Sequence, residues 1–180
     1  MKKTVFAGFG GQGVLTMGYV FAVAAMRDGK EVTYLPAYGA EMRGGTANCT
    51  VVVSGEEIFS PVASSPDIAV IMNKPSMLRY EGIIKKGGSL FLNSNQIDRT
   101  SMRDDLNVIK IPAVDIAREL GGEHVMNMIM LGAFAVHTKI TSLHSIRNAL
   151  SETMKDRETG IMDLNRTALK AGADYIRKGD

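Results

Sequence analysis

The chain has 180 residues, and its 21 basic and 19 acidic side chains give a formal net charge of +2. A balance so close to neutrality argues against nucleic acid or an anionic membrane surface as a partner. The only cysteine, Cys49, excludes an intrachain disulfide and any cluster held by several cysteines of this chain. No apolar run approaches the roughly 20 residues of a membrane span. We therefore expect one cytoplasmic domain over residues 1–180.

Strands and helices are predicted to alternate through the first part of the chain, and helices to dominate the rest. The predicted strands are Lys3–Ala7, Glu31–Leu35, Thr46–Ser54, Asp67–Met72, Ser89–Asn93 and Asn107–Ile111. The predicted helices are Val14–Asp28, Pro75–Lys85, Val114–Leu120, Val125–His137, Leu143–Met154 and Met162–Arg177.

Three details of this pattern carry expectations of their own. Pro36 is expected to close the second strand, and Gly55-Glu56 to turn the third strand into a hairpin with Ile58-Phe59. Asp156–Gly160 is expected to be a loop. Together the elements predict an α/β fold with a three-layer, mixed but largely parallel sheet, helices on both faces and a helical C-terminal end.

The segment Val125–His137 is apolar almost all round, and it contains Met126, Met128 and Met130. A helix of this kind must be fully buried. Two interpretations remain open: the helix is part of the core of this chain, or a partner subunit covers it. Methionine is common in both settings.

A glycine-rich turn, GFGGQG at Gly8–Gly13, lies between the first strand and the first helix. Glycines permit a tight turn there, and the start of a helix presents free N–H groups to an anion. Dinucleotide binding also needs an acidic residue at the end of the second strand, where this chain has Tyr34-Leu35-Pro36, and no Walker A lysine follows the turn. The open alternatives are glycines that only pack helix against strand, and an anion or partner segment bound at the helix N-terminus.

A second loop, YGAEMRGG at Tyr38–Gly45, follows the second strand. We expect it at the sheet edge that carries the glycine turn, because open α/β sheets bind ligands at the carboxyl ends of their strands. Arg43 offers a planar donor fork for a carboxylate or a phosphate. A local pair between Glu41 and Arg43 is the alternative to an anion or subunit contact.

Other residues give little support for catalysis by this chain alone. Cys49 lies inside a predicted strand, where a small core residue is expected. The three histidines lack the spacing of a metal site. We therefore expect no catalytic residue and no metal site in this chain.

Several segments, taken in order, resemble one family. GFGGQGV and, about twenty residues later, LPAYGAEMRGGTANCTVVVS resemble the gamma subunit of 2-oxoacid:ferredoxin (acceptor) oxidoreductases. SSPDIAVIMNKPS, GGSLFLNS, KIPAVDIAREL and NMIMLGAF extend the resemblance over almost the whole chain. It is greatest to the stand-alone gamma chains of the 2-oxoglutarate and branched-chain 2-oxoacid enzymes, with the pyruvate and indolepyruvate enzymes as alternatives.

The resemblance implies a subunit that is inactive alone. The whole enzyme converts a 2-oxoacid and coenzyme A to acyl-CoA, CO2 and reduced ferredoxin, with 2-oxoglutarate favoured, then 2-oxoisovalerate or pyruvate. Thiamine diphosphate, magnesium and iron–sulfur clusters are implied on the partners: a thiamine-diphosphate-binding beta subunit, an alpha subunit and a ferredoxin-like delta subunit.

The two loops are carried over as the ligand-facing or interface positions of this subunit, without any chemical step. They comprise Gly8, Gly10, Gly11, Gln12, Gly13, Tyr38, Glu41, Arg43, Gly44 and Gly45. The alternative function is an independent domain that binds a nucleotide or an anionic metabolite through GFGGQG.

Overall fold

The computed structural model describes residues 1–39, 45–155 and 158–179. Six strands form one sheet in the order β2-β3-β1-β4-β5-β6. They are β1 (Lys2–Phe9), β2 (Glu31–Tyr38), β3 (Thr46–Ser54), β4 (Ile68–Ile71), β5 (Ser89–Asn93) and β6 (Asn107–Ile111). The helices are α1 (Val14–Arg27), α2 (Lys74–Tyr80), α3 (Ala113–Glu119), α4 (Met126–Thr138), α5 (Leu143–Thr153) and α6 (Thr159–Gly179). Short 3-10 turns follow α2 and precede α4, at Glu81–Ile83 and Glu123–Val125.

Pairing between neighbouring strands is parallel from β1 through β4 and β5 to β6. Only β3 runs the other way, and it is paired with β1 on one side and β2 on the other. As a result β2 points in the same direction as β1, and both end at the same edge of the sheet. The predicted α/β fold with a mixed, largely parallel sheet is confirmed.

Helices cover both faces of the sheet, as predicted. On one face, the rings of Phe6 and Phe91 from the sheet meet Phe21 of α1 and Phe134 of α4, and the ring of Phe134 lies 4.9–5.7 Å from the other three. α3, α5 and α6 extend this layer. On the other face, Met77 and Tyr80 of α2 belong to a smaller apolar cluster with alternate residues of β1, β4 and β5.

Two predictions about the strands are wrong. β2 continues through Pro36 to Tyr38, because β2 is an edge strand and proline is tolerated where a strand has a neighbour on one side only. Ile58-Phe59 forms no strand, so the expected hairpin is absent. β3 already has a partner on each side, which leaves no free edge for a returning strand.

The apolar helix α4 is buried by its own chain. Met128, Met130 and Phe134 are fully inaccessible, and α6 packs along α4. The core interpretation of this segment is therefore right, and docking of a partner is not needed to bury it. In the expected loop Asp156–Gly160, residues 156 and 157 lie outside the described residues, and α6 begins earlier than predicted, at Thr159.

Candidate functional site

The glycine turn connects β1 to α1 at the carboxyl edge of the sheet. Gly11 and Gly13 have φ angles of 97° and 70°, in the left-handed region that glycine adopts at little cost. The N–H of Gln12 donates to the carbonyl of Phe9 across 3.1 Å, which closes the turn. This conformation directs the chain from the strand straight into the first turn of α1.

Gln12 holds the turn in place through its side chain. Its Oε1 accepts hydrogen bonds from the Phe9 N–H at 2.7 Å and from Nδ2 of Asn73 at 3.2 Å. Asn73 is buried and also caps the N-terminus of α2, where its Oδ1 accepts from the N–H of Ser76. The Gln12 carboxamide therefore connects the turn to the end of β4 instead of pointing toward a ligand.

Gly8 and Gly13 are glycines for reasons of space. A Cβ on Gly8 would lie 2.6 Å from Oε1 of Gln12 and 2.9 Å from Cβ of Met72. A Cβ on Gly13 would collide with the amide of Asn127, whose Nδ2 donates to the Gly13 carbonyl. At these two positions the structure supports the packing interpretation of the motif.

The second loop meets the first at the same edge of the sheet. Gly10 donates its N–H to the carbonyl of Gly45 across 2.9 Å, and Gly39 donates to the carbonyl of Thr46 across 2.7 Å. Tyr38, at the end of β2, is 76% exposed. The predicted proximity of the two loops is thereby confirmed for their described residues. Glu41, Arg43 and Gly44 lie outside the described residues.

A cleft of about 920 Å³ opens between the two loops. The predicted site residues that line it are Gly10, Gly11, Gly13, Tyr38 and Gly45, joined by Phe9, Val14, Leu15, Thr16, Gly39, Thr46 and Ala47. Its size is that of a small-molecule site. Gly8 and Gln12 lie behind this surface and support it.

The N-terminus of α1 forms one wall of the cleft. Gly13 is the N-cap, it provides no side-chain hydrogen bond, and the first turn contains no acidic residue. The N–H groups of Val14, Leu15 and Thr16 have no intrahelical acceptor because the helix starts there. These amides and the positive end of the helix dipole favour an anion.

The described lining includes one titratable side chain, Tyr38, and this chemistry suits binding more than catalysis. Cys49 is fully buried, as predicted for a core residue inside a strand, and burial raises the pKa of its thiol to about 12. A thiol held neutral in this way is a poor nucleophile. Within residues 1–39, 45–155 and 158–179, no group of three or more histidine, cysteine, aspartate or glutamate side chains is arranged to hold a metal ion.

The structure adds residues that the motif did not reveal. Asn73 and Asn127 buttress the turn from β4 and α4, and Leu15 and Thr16 form the wall of the cleft. An asparagine directly before Lys74-Pro75 is a recognisable N-cap signal for Asn73. Asn127 has no such local signal, because it reaches Gly13 only through the tertiary packing of α4.

The topology also weakens the dinucleotide interpretation. In that arrangement the strand after the first helix lies directly beside β1, whereas here the antiparallel β3 separates β2 from β1. No acidic residue stands at the end of β2, which closes with Ala37-Tyr38. In the part of the chain that the structure describes, no helix is long and apolar enough to cross a membrane.

Comparison with known proteins identifies relatives over nearly the full chain. It is 41% identical over 178 residues to ketoisovalerate oxidoreductase subunit VorA of Methanothermobacter marburgensis, covering 98% of this chain and 37% of VorA. The chain thus spans little more than a third of that relative. It is 34% identical over 187 residues to the 2-oxoglutarate synthase subunit KorC of the same organism, covering 99% of both chains.

A solved structure has the same fold. It is the 2-oxoglutarate:ferredoxin oxidoreductase from Magnetococcus marinus with 2-oxoglutarate, coenzyme A and succinyl-CoA bound. The TM-score is 0.90 at 24% sequence identity, over 99% of this chain and 32% of that one. The model of the pyruvate ferredoxin/flavodoxin oxidoreductase family matches residues 3–175. The chain therefore belongs to the pyruvate ferredoxin/flavodoxin oxidoreductase family.

Proposed function

We propose that this chain is the gamma subunit of a multi-subunit 2-oxoacid:ferredoxin oxidoreductase. The reaction releases the carboxyl group of a 2-oxoacid as CO2, joins the remaining acyl group to coenzyme A, and passes the electrons to oxidised ferredoxin. Family membership, the resemblance of the two loops and the names of the relatives support this proposal. Relatives named for 2-oxoisovalerate and 2-oxoglutarate enzymes make these two acids the first substrates to assay.

The observation that carries the proposal is the cleft at the start of α1. The N–H groups at the start of α1 form one wall of it, and the first helical turn contains no acidic residue, so this described wall favours a phosphate or a carboxylate. Coenzyme A supplies phosphates, and a partner subunit can supply a carboxylate. We propose that the cleft receives one of these anions in the assembled enzyme, with Tyr38 on its rim.

The redox and carbanion chemistry belongs to other subunits in this proposal. An iron–sulfur cluster is typically held by four cysteines, and the single cysteine of this chain is buried in the core. Thiamine diphosphate, when bound on a partner, supplies the carbanion chemistry of decarboxylation. This chain contributes binding surface and holds the glycine turn rigid through Gln12, Asn73 and Asn127.

The proposal is tested by purifying the native assembly under anaerobic conditions through an affinity tag on this chain. We expect mass spectrometry to find a thiamine-diphosphate-binding chain and an iron–sulfur chain in the same peak. The assembly should reduce viologen dye in the presence of coenzyme A and a 2-oxoacid. Parallel assays with 2-oxoglutarate, 2-oxoisovalerate and pyruvate identify the substrate.

The free chain serves as the control. It should be colourless and should show no 2-oxoacid-dependent dye reduction, even with thiamine diphosphate and coenzyme A added. Turnover by the free chain would contradict the role as a subunit. A micromolar dissociation constant for NADH, roughly −8 kcal/mol, would instead support an independent nucleotide-binding domain.

A further inference from the structure

A second cleft, of about 440 Å³, lies between α5 and α6 and shares no described lining residue with the glycine-turn cleft. Four cationic side chains surround it: Arg147 from α5, and Arg166, Lys170 and Arg177 from α6. Leu143 and Leu169 contribute its apolar part. In the described part of the chain, no carboxylate lines this cleft.

The cationic side chains of the cleft outnumber the described carboxylates that contact them. Asp163 accepts from Arg166 at 3.2 Å, and Asp174 contacts Lys170 at 2.6 Å and Arg177 at 3.4 Å. Arg147 contacts the ring of His144 on its own helix. Among the described residues, four positive charges therefore face two carboxylates, which lie beside the cleft and not in it. The described residues of the cleft and its rim therefore carry a local excess of two positive charges.

The spacing of the cations indicates the shape of what they can bind. Arg166, Lys170 and Arg177 recur on one side of α6 over 11 residues, or about 16 Å at 1.5 Å per residue. A single phosphate is much smaller than this. An extended peptide advances about 3.3 Å per residue, so five or six residues cover the same distance.

We propose that the α5–α6 cleft binds an extended acidic segment of another protein chain, with aspartate or glutamate side chains on the arginines and lysine. Guanidinium groups form paired hydrogen bonds with carboxylates, and the partly exposed Leu143 offers an apolar contact for the aliphatic part of the segment. The site is separate from the glycine-turn cleft, so this inference does not depend on the proposed function.

The test measures binding of a fluorescein-labelled hexaglutamate peptide to the full chain by fluorescence anisotropy. We expect saturable binding at 0.01 M salt that weakens at least tenfold at 0.15 M, where the screening length falls from about 30 to about 8 Å. Arg147→Glu combined with Lys170→Glu should weaken binding at least tenfold at low salt.

A matched control separates the cleft from the net charge of the protein. Arg79→Glu combined with Lys110→Glu makes the same change in charge at exposed positions on α2 and β6, and should weaken binding less than threefold. If either double variant lowers the melting temperature by more than a few degrees, the corresponding glutamine variants replace it. The glutamine pair in the cleft should then still weaken binding more than its control.

Three results would overturn the proposal. The first is an equal loss of binding in the cleft variant and the control, which would show a response to net charge alone. The second is the absence of saturable binding at low salt. The third is complete displacement of the peptide by 1 mM pyrophosphate, which would identify a site for small anions instead of an acidic segment.

Discussion

Gly132 of α4 and Gly172 of α6 lie where these two helices touch, whereas Gly11 lies in the exposed turn between β1 and α1. A Cβ on Gly132 would fall on the carbonyl oxygen of Leu169, and one on Gly172 would fall on the carbonyl oxygen of Ile129. A Cβ on Gly11 would meet nothing within 4 Å, but its φ angle is 97°.

Glycine is thus required for lack of space at the helix crossing and for backbone conformation at Gly11 of the turn. The crossing brings α4 and α6 into backbone contact, and this contact closes the core over one face of the sheet. The turn leaves backbone N–H groups facing an open cleft. Substitutions in the first region should affect folding, and those in the second should affect binding as well.

The largest effect is expected at the helix crossing. Gly132→Ala or Gly172→Ala should lower the free energy of unfolding by about 3 kcal/mol, because the clash is with backbone that cannot rotate away. For a chain of this size that corresponds to a fall in melting temperature of about 6–12 °C. A loss of stability would be informative in itself, because replacing glycine by alanine inside a helix otherwise raises the free energy of unfolding by up to about 1 kcal/mol.

Gly160→Ala is the matched control for this prediction. Gly160 lies in the first turn of the same helix α6, and a Cβ there meets nothing within 4 Å. Its stability should stay the same or rise slightly. If Gly172→Ala were as stable as Gly160→Ala, the close helix crossing would be refuted.

A smaller and graded effect is expected in the turn. Gly11→Ala should cost about 1 kcal/mol from the left-handed conformation alone. Gly13→Ala should lower the free energy of unfolding by about 2 kcal/mol. In addition to the conformational cost, the new methyl group would displace Asn127 and break its hydrogen bond to the Gly13 carbonyl. Urea unfolding of both variants measures the difference.

Substitution by asparagine distinguishes the conformational effect from the steric effect in the turn. Gly11→Asn should recover part of the loss of Gly11→Ala, since asparagine tolerates the left-handed region better than alanine. Gly13→Asn should recover little, because the space beside Asn127 remains too small. Equal behaviour at the two positions would mean that packing contributes nothing at Gly13.

A charged contact lies at the opposite edge of the sheet. Its contribution to stability should depend on pH, whereas the contribution of the glycine contacts should not. Asp67 accepts from the N–H of Lys3 at 2.7 Å and from Nζ of Lys85 at 2.9 Å. Burial by itself raises the pKa of Asp67, but these hydrogen bonds and the nearby lysines outweigh it, and the pKa is lowered. A lowered carboxyl pKa contributes stability above the ordinary value near 4, and this contribution is lost as the pH falls through the lowered pKa.

Asp67→Asn should therefore reduce stability by about 0.5 kcal/mol at pH 7. The difference in free energy of unfolding between Asp67→Asn and the parent chain should shrink as the pH falls below about 4. The loss caused by Gly132→Ala should instead be the same at pH 7 and at pH 3. Urea unfolding at pH 7 and pH 3 compares the two variants. A loss from Asp67→Asn that persists unchanged at pH 3 would show that its charge contributes nothing.

Much of the fold follows from local sequence patterns. β3, β5 and β6 have the predicted bounds because their apolar runs are flanked by clear turn residues. The two strand predictions that proved wrong depend on the topology of the sheet. No local pattern reveals that Pro36 lies in an edge strand, or that β3 is paired on both sides and leaves Ile58-Phe59 without a partner.

The candidate site divides in the same way. The motif identifies the glycine turn and its position near Tyr38 and Gly45, because strand direction determines which loops meet. It does not show that Gln12 faces inward to Asn73, since that contact joins residues 61 apart in the chain. The importance of Gly132 and Gly172 cannot be predicted from the sequence for a similar reason. The two glycines lie on different helices, and they meet the opposite backbone only when α4 packs against α6.

Thr16 offers the most direct test of whether the start of α1 receives an anion. Thr16→Asp should stabilise the free chain by about 0.3–1 kcal/mol, because a negative charge in the first helical turn interacts favourably with the helix dipole. In the assembled enzyme the same charge repels a bound anion. We expect the KM for coenzyme A, or the dissociation constant of the subunit, to rise about tenfold, while Thr16→Asn stays within twofold of the parent. Unchanged values of both quantities for Thr16→Asp would contradict an anion at this helix.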